Sequence, residues 1–276
     1  MMMTMPFFSA ALPEFVILGM ACIILVFDVS VRTGYRGFTY ALVQLTLLAA
    51  FCFVAMQYRV FSHAILTFNN NYMLDKLALL TKLFVLAVSM FAFMYARDYL
   101  KERDISRGDY YILGLFSVLG MMVMSSGYTL LTIYLGLELL TMPLYAMVAM
   151  EKDSRLATEA AMKYFVMGAM ASGLLLYGIS LVYGASGSIE LHGIQQLLAT
   201  GAPNKVALLG LIFILAGLLF KLGAVPFHMW VPDVYDGAPT CTTLFIASAP
   251  KIAAITITFR ILVEALPSLP FPGIMS

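Results

Sequence analysis

Residues 205–230 read KVALLGLIFILAGLLFKLGAVPFHMW. A run of about 20 apolar residues spans the hydrocarbon core of a bilayer as a helix, and this one is long enough. It contains two features that such a helix rarely tolerates. Lys221 lies deep within it, and a charge at the bilayer centre costs about 2.5–3.5 kcal/mol even on a lenient scale. Pro226 follows five residues later. A helical proline removes one hydrogen bond and clashes with the carbonyl four residues earlier, here that of Leu222. The stretch therefore reads as a membrane helix, discontinuous near Pro226, with a lysine that needs a partner or a task.

The rest of the chain agrees. Of 276 residues, 62% are hydrophobic and 11% charged, with 16 basic and 15 acidic side chains. Mean hydropathy is +0.93. An ordinary soluble domain carries about 25% charged residues, so this set is too small for a polar coat. A soluble enzyme and a disordered chain are excluded, and a net charge of +1 offers no footprint for nucleic acid. The fold class is all-α, a polytopic transmembrane bundle. Eight apolar segments are long enough to cross, near 10–30, 37–58, 73–96, 109–126, 128–150, 160–184, 205–230 and 240–266. A continuous helix over 109–150 would be about 60 Å long. It is expected to break at Ser126-Gly127-Tyr128.

Lys and Arg in short loops set orientation. With the N-terminus outside, the inner loops hold Arg32, Arg36, Arg97, Lys101, Arg103, Arg107, Lys152 and Arg155, against Arg59 and Lys205 outside. The inner segment 231–239 has no base and reads as a short loop packed on protein. In the outer segment 188–199, apolar residues at 191, 194, 197 and 198 fit a short interfacial helix with Ser188 as N-cap, or an ordinary loop. The first residues lack a basic n-region, so the N-terminus reads as the mature start of span one.

Buried charge marks the candidate site. Glu138 lies mid-span in LGLELLTMPLY, and Lys251 lies within IASAPKIAAIT. Like Lys221, each has a proline close by: Pro143 after Glu138, and Pro250 just before Lys251. The prolines are expected to free the carbonyls of Leu139, Leu222 and Ile246. Broken membrane helices face protein or watered cavities and often mark transport sites. His228, after Pro226, is a candidate proton relay or a packing histidine. Lys82, inside span three, is a weaker candidate that faces either the bundle or nothing special. Asp75 and Lys76 are expected to snorkel, Glu159 and Lys163 to sit at the inner interface, and Glu14 and Asp28 to mark the ends of span one.

A free lysine is protonated at pH 7. Burial opposes its charge and a neighbouring carboxylate favours it. A Glu–Lys pair that closes and opens would therefore load and release a proton. Other chemistries fit poorly. Cys22, Cys52 and Cys241 have no C-x-x-C spacing, which argues against a cluster or zinc site made by this chain. No metal or cofactor site is expected. His63, His192 and His228 form no haem-type pair, and no phosphate loop is present. Gly184-Ala185-Ser186-Gly187 matches the G-x-S-G of intramembrane serine proteases, with His228 as base, but sits at a helix end where such residues are common.

Three stretches carry a resemblance: LGLELLTMPLYAMVA, then EAAMKYFVMGAMASGLLLYGISLVYG, then GLLFKLGAVPFHMWVPDVYDGAPT with ASAPKIAA. They resemble the subunit N family among the antiporter-like, proton-pumping subunits of bacterial NADH-quinone oxidoreductase, respiratory complex I. The likeness starts at LPEFVILGMACIILVFDV and covers essentially the whole chain. Those subunits in turn resemble multi-subunit cation/proton antiporters. The resemblance implies that Glu138 and Lys221 form the pair that modulates proton affinity, and that Lys251 relays protons along a polar axis. His228 falls where a polar residue follows the helix break. It also implies partner subunits that bind NADH, FMN, iron–sulfur clusters and quinone, none of them bound here, and a place in the bacterial inner membrane. Residues 1–108 would form a three-span region, 109–266 one five-helix repeat, and 267–276 an outer tail. Family members continue into a second, inverted repeat, so the chain is expected to be truncated or completed by another. The alternatives in other classes are a secondary cation/proton antiporter component and a structural assembly subunit with fixed charge pairs.

Overall fold

The computed structural model describes residues 8–30, 36–61, 63–103, 105, 107–200 and 205–265. Arg32 and the tail expected over 267–276 lie outside the described residues, as do the side chains of Arg36, Arg107, Leu197 and Leu198. The chain runs α1 (Leu12–Ser30), α2 (Arg36–Val60), β1 (Ile65–Thr67), β2 (Tyr72–Leu74), α3 (Lys76–Glu102), α4 (Arg107–Ser125), α5 (Leu130–Val148), α6 (Arg155–Ser186), α7 (Leu191–Thr200), α8 (Lys205–Leu222), α9 (Trp230–Gly237), α10 (Thr240–Ala247) and α11 (Ala249–Arg260). A π-helical turn, Ile261–Ala265, ends the described chain. Eight helical stretches are long and apolar enough to cross a membrane, the last comprising α10, α11 and most of the π turn.

The shortest spanning helices have 18 or 19 residues, about 27–28 Å of rise, close to a bilayer core. α6 has 32 residues and starts five residues before its expected apolar segment. The Ser154 hydroxyl caps it by accepting from the Ala157 N–H at 3.3 Å, which extends it into a charged turn holding Arg155, Glu159 and Lys163. α4 is the most enclosed span. Large apolar side chains such as Phe91, Tyr95, Met170 and Ile212 face outward from other spans, as lipid contact requires.

Between helices the seams are made of small residues. A Cβ on Gly178 would lie 2.6 Å from the Gly210 carbonyl oxygen, so α6 and α8 touch backbone to backbone there. A Cβ on Gly136 would meet the Met124 backbone at the same distance, bringing α4 against α5. Lipid tails are as apolar as leucine, so close packing rather than a hydrophobic drive holds such helices together.

The break at Ser126-Gly127-Tyr128 is where the sequence places it. It is stapled by neighbours on the same side of the bundle. The Met73 N–H donates to the Ser126 carbonyl at 2.8 Å and the Tyr128 N–H to that of Asn71 at 3.1 Å. The Leu130 N–H donates to the Ile189 carbonyl at 2.9 Å. The first two contacts come from a small antiparallel hairpin, β1 with β2. The last comes from the lead-in to α7. That lead-in uses Ser188 as a turn, its hydroxyl accepting from the Glu190 N–H at 3.1 Å, and buries Leu191 and Ile194 against protein.

The discontinuity expected near Pro226 is present: α8 ends at Leu222 and α9 begins at Trp230. The helix stops four residues before the proline, where Gly223 takes φ +68, a left-handed conformation that glycine adopts without a Cβ penalty. Two expectations need correction. α5 runs unbroken through Pro143. The segment 231–239 is mostly helix α9 rather than a loop. Pro232 sits in the first turn of α9, where its missing N–H has no intrahelical partner in any case.

Candidate functional site

The two helix breaks face one another. α8 ends at Leu222 with its last carbonyls unpaired by helix geometry. Span eight breaks at Ser248, with φ −111 and ψ −89, and Pro250 opens α11 within its first two positions. Lys251, one residue on, reaches across. Its Nζ donates to the Leu222 carbonyl at 2.8 Å and the Lys221 carbonyl at 3.1 Å. The carbonyl of Leu222, expected to be free, is therefore met by the half-buried Lys251. A cation at a helix C-terminus is favoured by the macrodipole. The ammonium group also lies 4.9 Å from the centre of the Trp230 ring, and the Trp230 Nε1 donates to the Phe220 carbonyl at 2.8 Å. Trp230 thus fixes both the end of α8 and the cation beside it.

Lys221 occupies the last turn of α8. Its Nζ donates to the Tyr145 hydroxyl at 3.5 Å and lies 5.8 Å from the centres of the Tyr145 and Phe220 rings. Tyr145 is two turns beyond Glu138 on α5. Glu138 lies within Coulombic reach of both Lys221 and Tyr145. The Glu138 Oε1 is buried and has no hydrogen-bond partner, an expensive state for a carboxylate oxygen. No direct ion pair joins Glu138 to Lys221 among the described residues. The pair stands open, with Tyr145 beside both. Tyr145 packs edge-on to Tyr164 with centroids 4.8 Å apart, and Tyr164 stacks on Trp230, also at 4.8 Å. This aromatic column links α5, α6 and α9 and walls both lysines.

The structure thus brings Glu138, Lys221 and Lys251 into one locality. It does not bring His228 there: that side chain is exposed on the segment between α8 and α9. Lys82 is elsewhere, fully buried between α1 and α3, where its Nζ contacts Glu14 Oε1 at 2.6 Å and the Tyr72 hydroxyl at 2.7 Å. Asp75 does not snorkel. It caps α3 by accepting from the Ala78 N–H at 2.9 Å, and it pairs with Arg260 at 2.7 Å. Lys163 sits at one end of α6, paired with Glu159 at 2.9 Å and Asp233 at 2.8 Å. Sequence reasoning missed Tyr145, Trp230, Glu14 and Arg260. Arg260 was open to the same test that singled out Glu138, since it too is a charge within an apolar span. Among the described residues, no group of three or more His, Cys, Asp or Glu side chains is placed to hold a metal ion.

Residues 127–271 match the model of the family described as the transmembrane region of NADH:quinone oxidoreductase and Mrp antiporters. The chain belongs to this family. The matched region contains both helix breaks and all three charges of the site. The chain is 52% identical over 264 residues to NADH-quinone oxidoreductase subunit N of Thioalkalivibrio sulfidiphilus, covering 95% of this chain and 54% of that protein. It is 48% identical over 263 residues to the subunit N of Alkalilimnicola ehrlichii, with the same coverage. The chain therefore spans about half the length of the curated relatives it matches. In structure it resembles a chain of the respiratory complex I from Thermus thermophilus with bound aureothin. The TM-score is 0.76 and the identity 29%, over 90% of this chain and 52% of that one.

Proposed function

We propose that the chain is a proton-translocating membrane subunit of an NADH:quinone oxidoreductase. In this reading Glu138, Lys221 and Lys251 carry the proton, and His228 and Lys82 are further candidates. NADH, FMN, iron–sulfur clusters and quinone belong to partner subunits, which drive this chain from outside. The membrane is the bacterial inner membrane, with the N-terminus on its outer side. Residues 1–108 serve as a three-span platform and 109–266 as the transporting five-helix repeat.

The observation that carries the reading is the junction of the two breaks. Lys251 caps the end of the helix that bears Lys221, so a change in protonation at one lysine alters the field at the other. A Glu138 carboxylate that approaches Lys221 holds its proton. Withdrawal or neutralisation of Glu138 releases that proton toward Lys251. Both steps need only small movements, because the backbone at the two breaks is not locked by helix hydrogen bonds.

The test is to place Lys221→Ala or Glu138→Ala in the full-length protein and measure quinone-reductase-linked proton pumping in vesicles. Assembled mutant complex should oxidise NADH while pumping fewer protons. Wild-type pumping by an assembled mutant would refute the assignment. A second reading, a cation/proton antiporter component, is favoured by the family description, which names both activities. Sodium-driven pH change in vesicles without NADH oxidation would select it.

A further inference from the structure

Away from the helix breaks, a second buried ionic cluster joins α1, α3, the hairpin and α11. Lys82 has no exposed side-chain surface and Glu14 only 7%. Their 2.6 Å contact is closed into a ring by Tyr72, whose hydroxyl lies 2.7 Å from Lys82 Nζ and 2.9 Å from Glu14 Oε1. The Lys82 Nζ also lies 4.9 Å from the centre of the Tyr72 ring. The second carboxylate oxygen, Glu14 Oε2, is buried with no partner. A purely structural pair would be expected to satisfy that oxygen, because an unpaired buried acceptor is costly.

The ring is wired to the helix of Lys251. Thr81, adjacent to Lys82, shares a 3.0 Å hydroxyl contact with Thr256 on α11. One turn further along α11, Arg260 pairs with Asp75 at 2.7 Å and with Glu264 at 3.4 Å. Asp75 and Arg260 both lie within Coulombic reach of Lys82. Three carboxylates (Glu14, Asp75 and Glu264) thus face two cations (Lys82 and Arg260), so one further proton would bring the cluster to neutrality.

We infer that Glu14 and Lys82, bridged by Tyr72, form a second proton-holding station coupled through α11 to Lys251. A proton arriving at Glu14 Oε2 converts the carboxylate to a carboxylic acid, while Lys82 keeps its own protons, and the five-group cluster becomes neutral. Loss of that proton from Oε2 restores the carboxylate and the ion pair that Oε1 makes with Lys82 Nζ at 2.6 Å. The inference rests on the proposed function insofar as Lys251 carries protons.

The experiment uses the full-length protein in its assembled complex, in membrane vesicles. Two quantities are read: protons moved per NADH oxidised, and the infrared carbonyl band of a protonated carboxyl that appears on turnover. Glu14→Gln should abolish the part of that band due to Glu14. Glu14→Gln and Lys82→Met should each lower the proton ratio, and the neutral double variant should fail to restore it. A band untouched by Glu14→Gln, or a double variant that pumps at the wild-type ratio, would make the pair a structural clamp and overturn the inference. Tyr72→Phe keeps the ion pair if the other variants fail to assemble. It should lower the ratio, and an unchanged ratio would again overturn the inference. Lys221→Ala is run alongside. Survival of pumping there removes the underlying reading of the main site. Loss there with survival in the double variant removes only the present inference.

Discussion

Gly223 offers the sharpest test of the junction between the two helix breaks. Its φ of +68 ends α8, and a Cβ at this position would lie 2.7 Å from Val231 Cγ2 and 3.2 Å from Lys251 Nζ. Gly223→Ala therefore carries two costs. The left-handed backbone costs a residue with a Cβ about 1–2 kcal/mol. The new methyl also crowds the ammonium that caps Leu222 and Lys221, weakening charge-assisted hydrogen bonds each worth about 1.5–3 kcal/mol. Partial loss of one such bond brings the total to about 2–3 kcal/mol, a roughly 30–150-fold fall in occupancy of the capped arrangement. Gly187 supplies the control. It has φ +69, but a Cβ there would meet nothing within 4 Å. Gly187→Ala incurs the backbone cost alone, far from either lysine. Both variants should assemble in the full-length protein, because neither empties the core. Proton pumping per NADH, followed by a pH-gradient dye in vesicles, should collapse for Gly223→Ala and persist for Gly187→Ala. Equal pumping by the two variants would refute the role given to the Lys251 cap.

Tyr145→Phe removes a hydroxyl whose bond to Lys221 is long at 3.5 Å, so stability should change by about 0.5 kcal/mol while the proton-to-NADH ratio falls. An unchanged ratio would reduce Tyr145 to a packing residue. Arg260→Leu leaves Asp75 with only its N-cap bond and should lower thermal stability of the purified protein by about 3 kcal/mol, with partial recovery in the Asp75→Asn double variant. Burial first, and then the negative charge of Glu14, hold the Tyr72 phenol well above its usual 10. The folded state thus keeps a proton that the unfolded chain loses, so the Tyr72 contribution to stability is complete below pH 10 and falls as pH rises above it. Tyr72→Phe should flatten that alkaline loss in a melting series, and an identical slope would deny the linkage.

The spans, the α4–α5 break and the three charges at the junction were legible because an apolar solvent punishes charge and tolerates little ambiguity. Lys221 stands out in KVALLGLIFILAGLLFKLG for the same reason that it must be held by protein. Other parts left no such signal. Glu14 sits near the start of an apolar run and looks like an interfacial residue, yet the hairpin folds over it. The hairpin itself is two strands of three residues, too short for alternation to register. Tyr145 and Trp230 are hidden by composition, since aromatic residues are plentiful in this chain and ordinary in membranes. α9 was obscured by Pro232 and its aspartates, which read as a turn until their place in the first helical turns is known.

The two lysine–carboxylate sets stand in opposite states within one structure. Lys82 and Glu14 are in contact at 2.6 Å. Glu138 and Lys221 are not, and Glu138 Oε1 lacks any partner. Each set costs free energy to hold as it is. The closed one confines a carboxylate with one unsatisfied oxygen, and the open one leaves a carboxylate unpaired beside an aromatic wall. The two sets are joined by one helix that contacts both. α11 is that helix: Lys251 at its start holds the end of α8, while Thr256 and Arg260 grip α3. The Lys251 contact to the Leu222 carbonyl and the Thr81 and Asp75 contacts beside Lys82 are thus borne by the same helix. Coupling between the stations then needs no long-range wire, only a short helix with a break at one end and a buried arginine at the other.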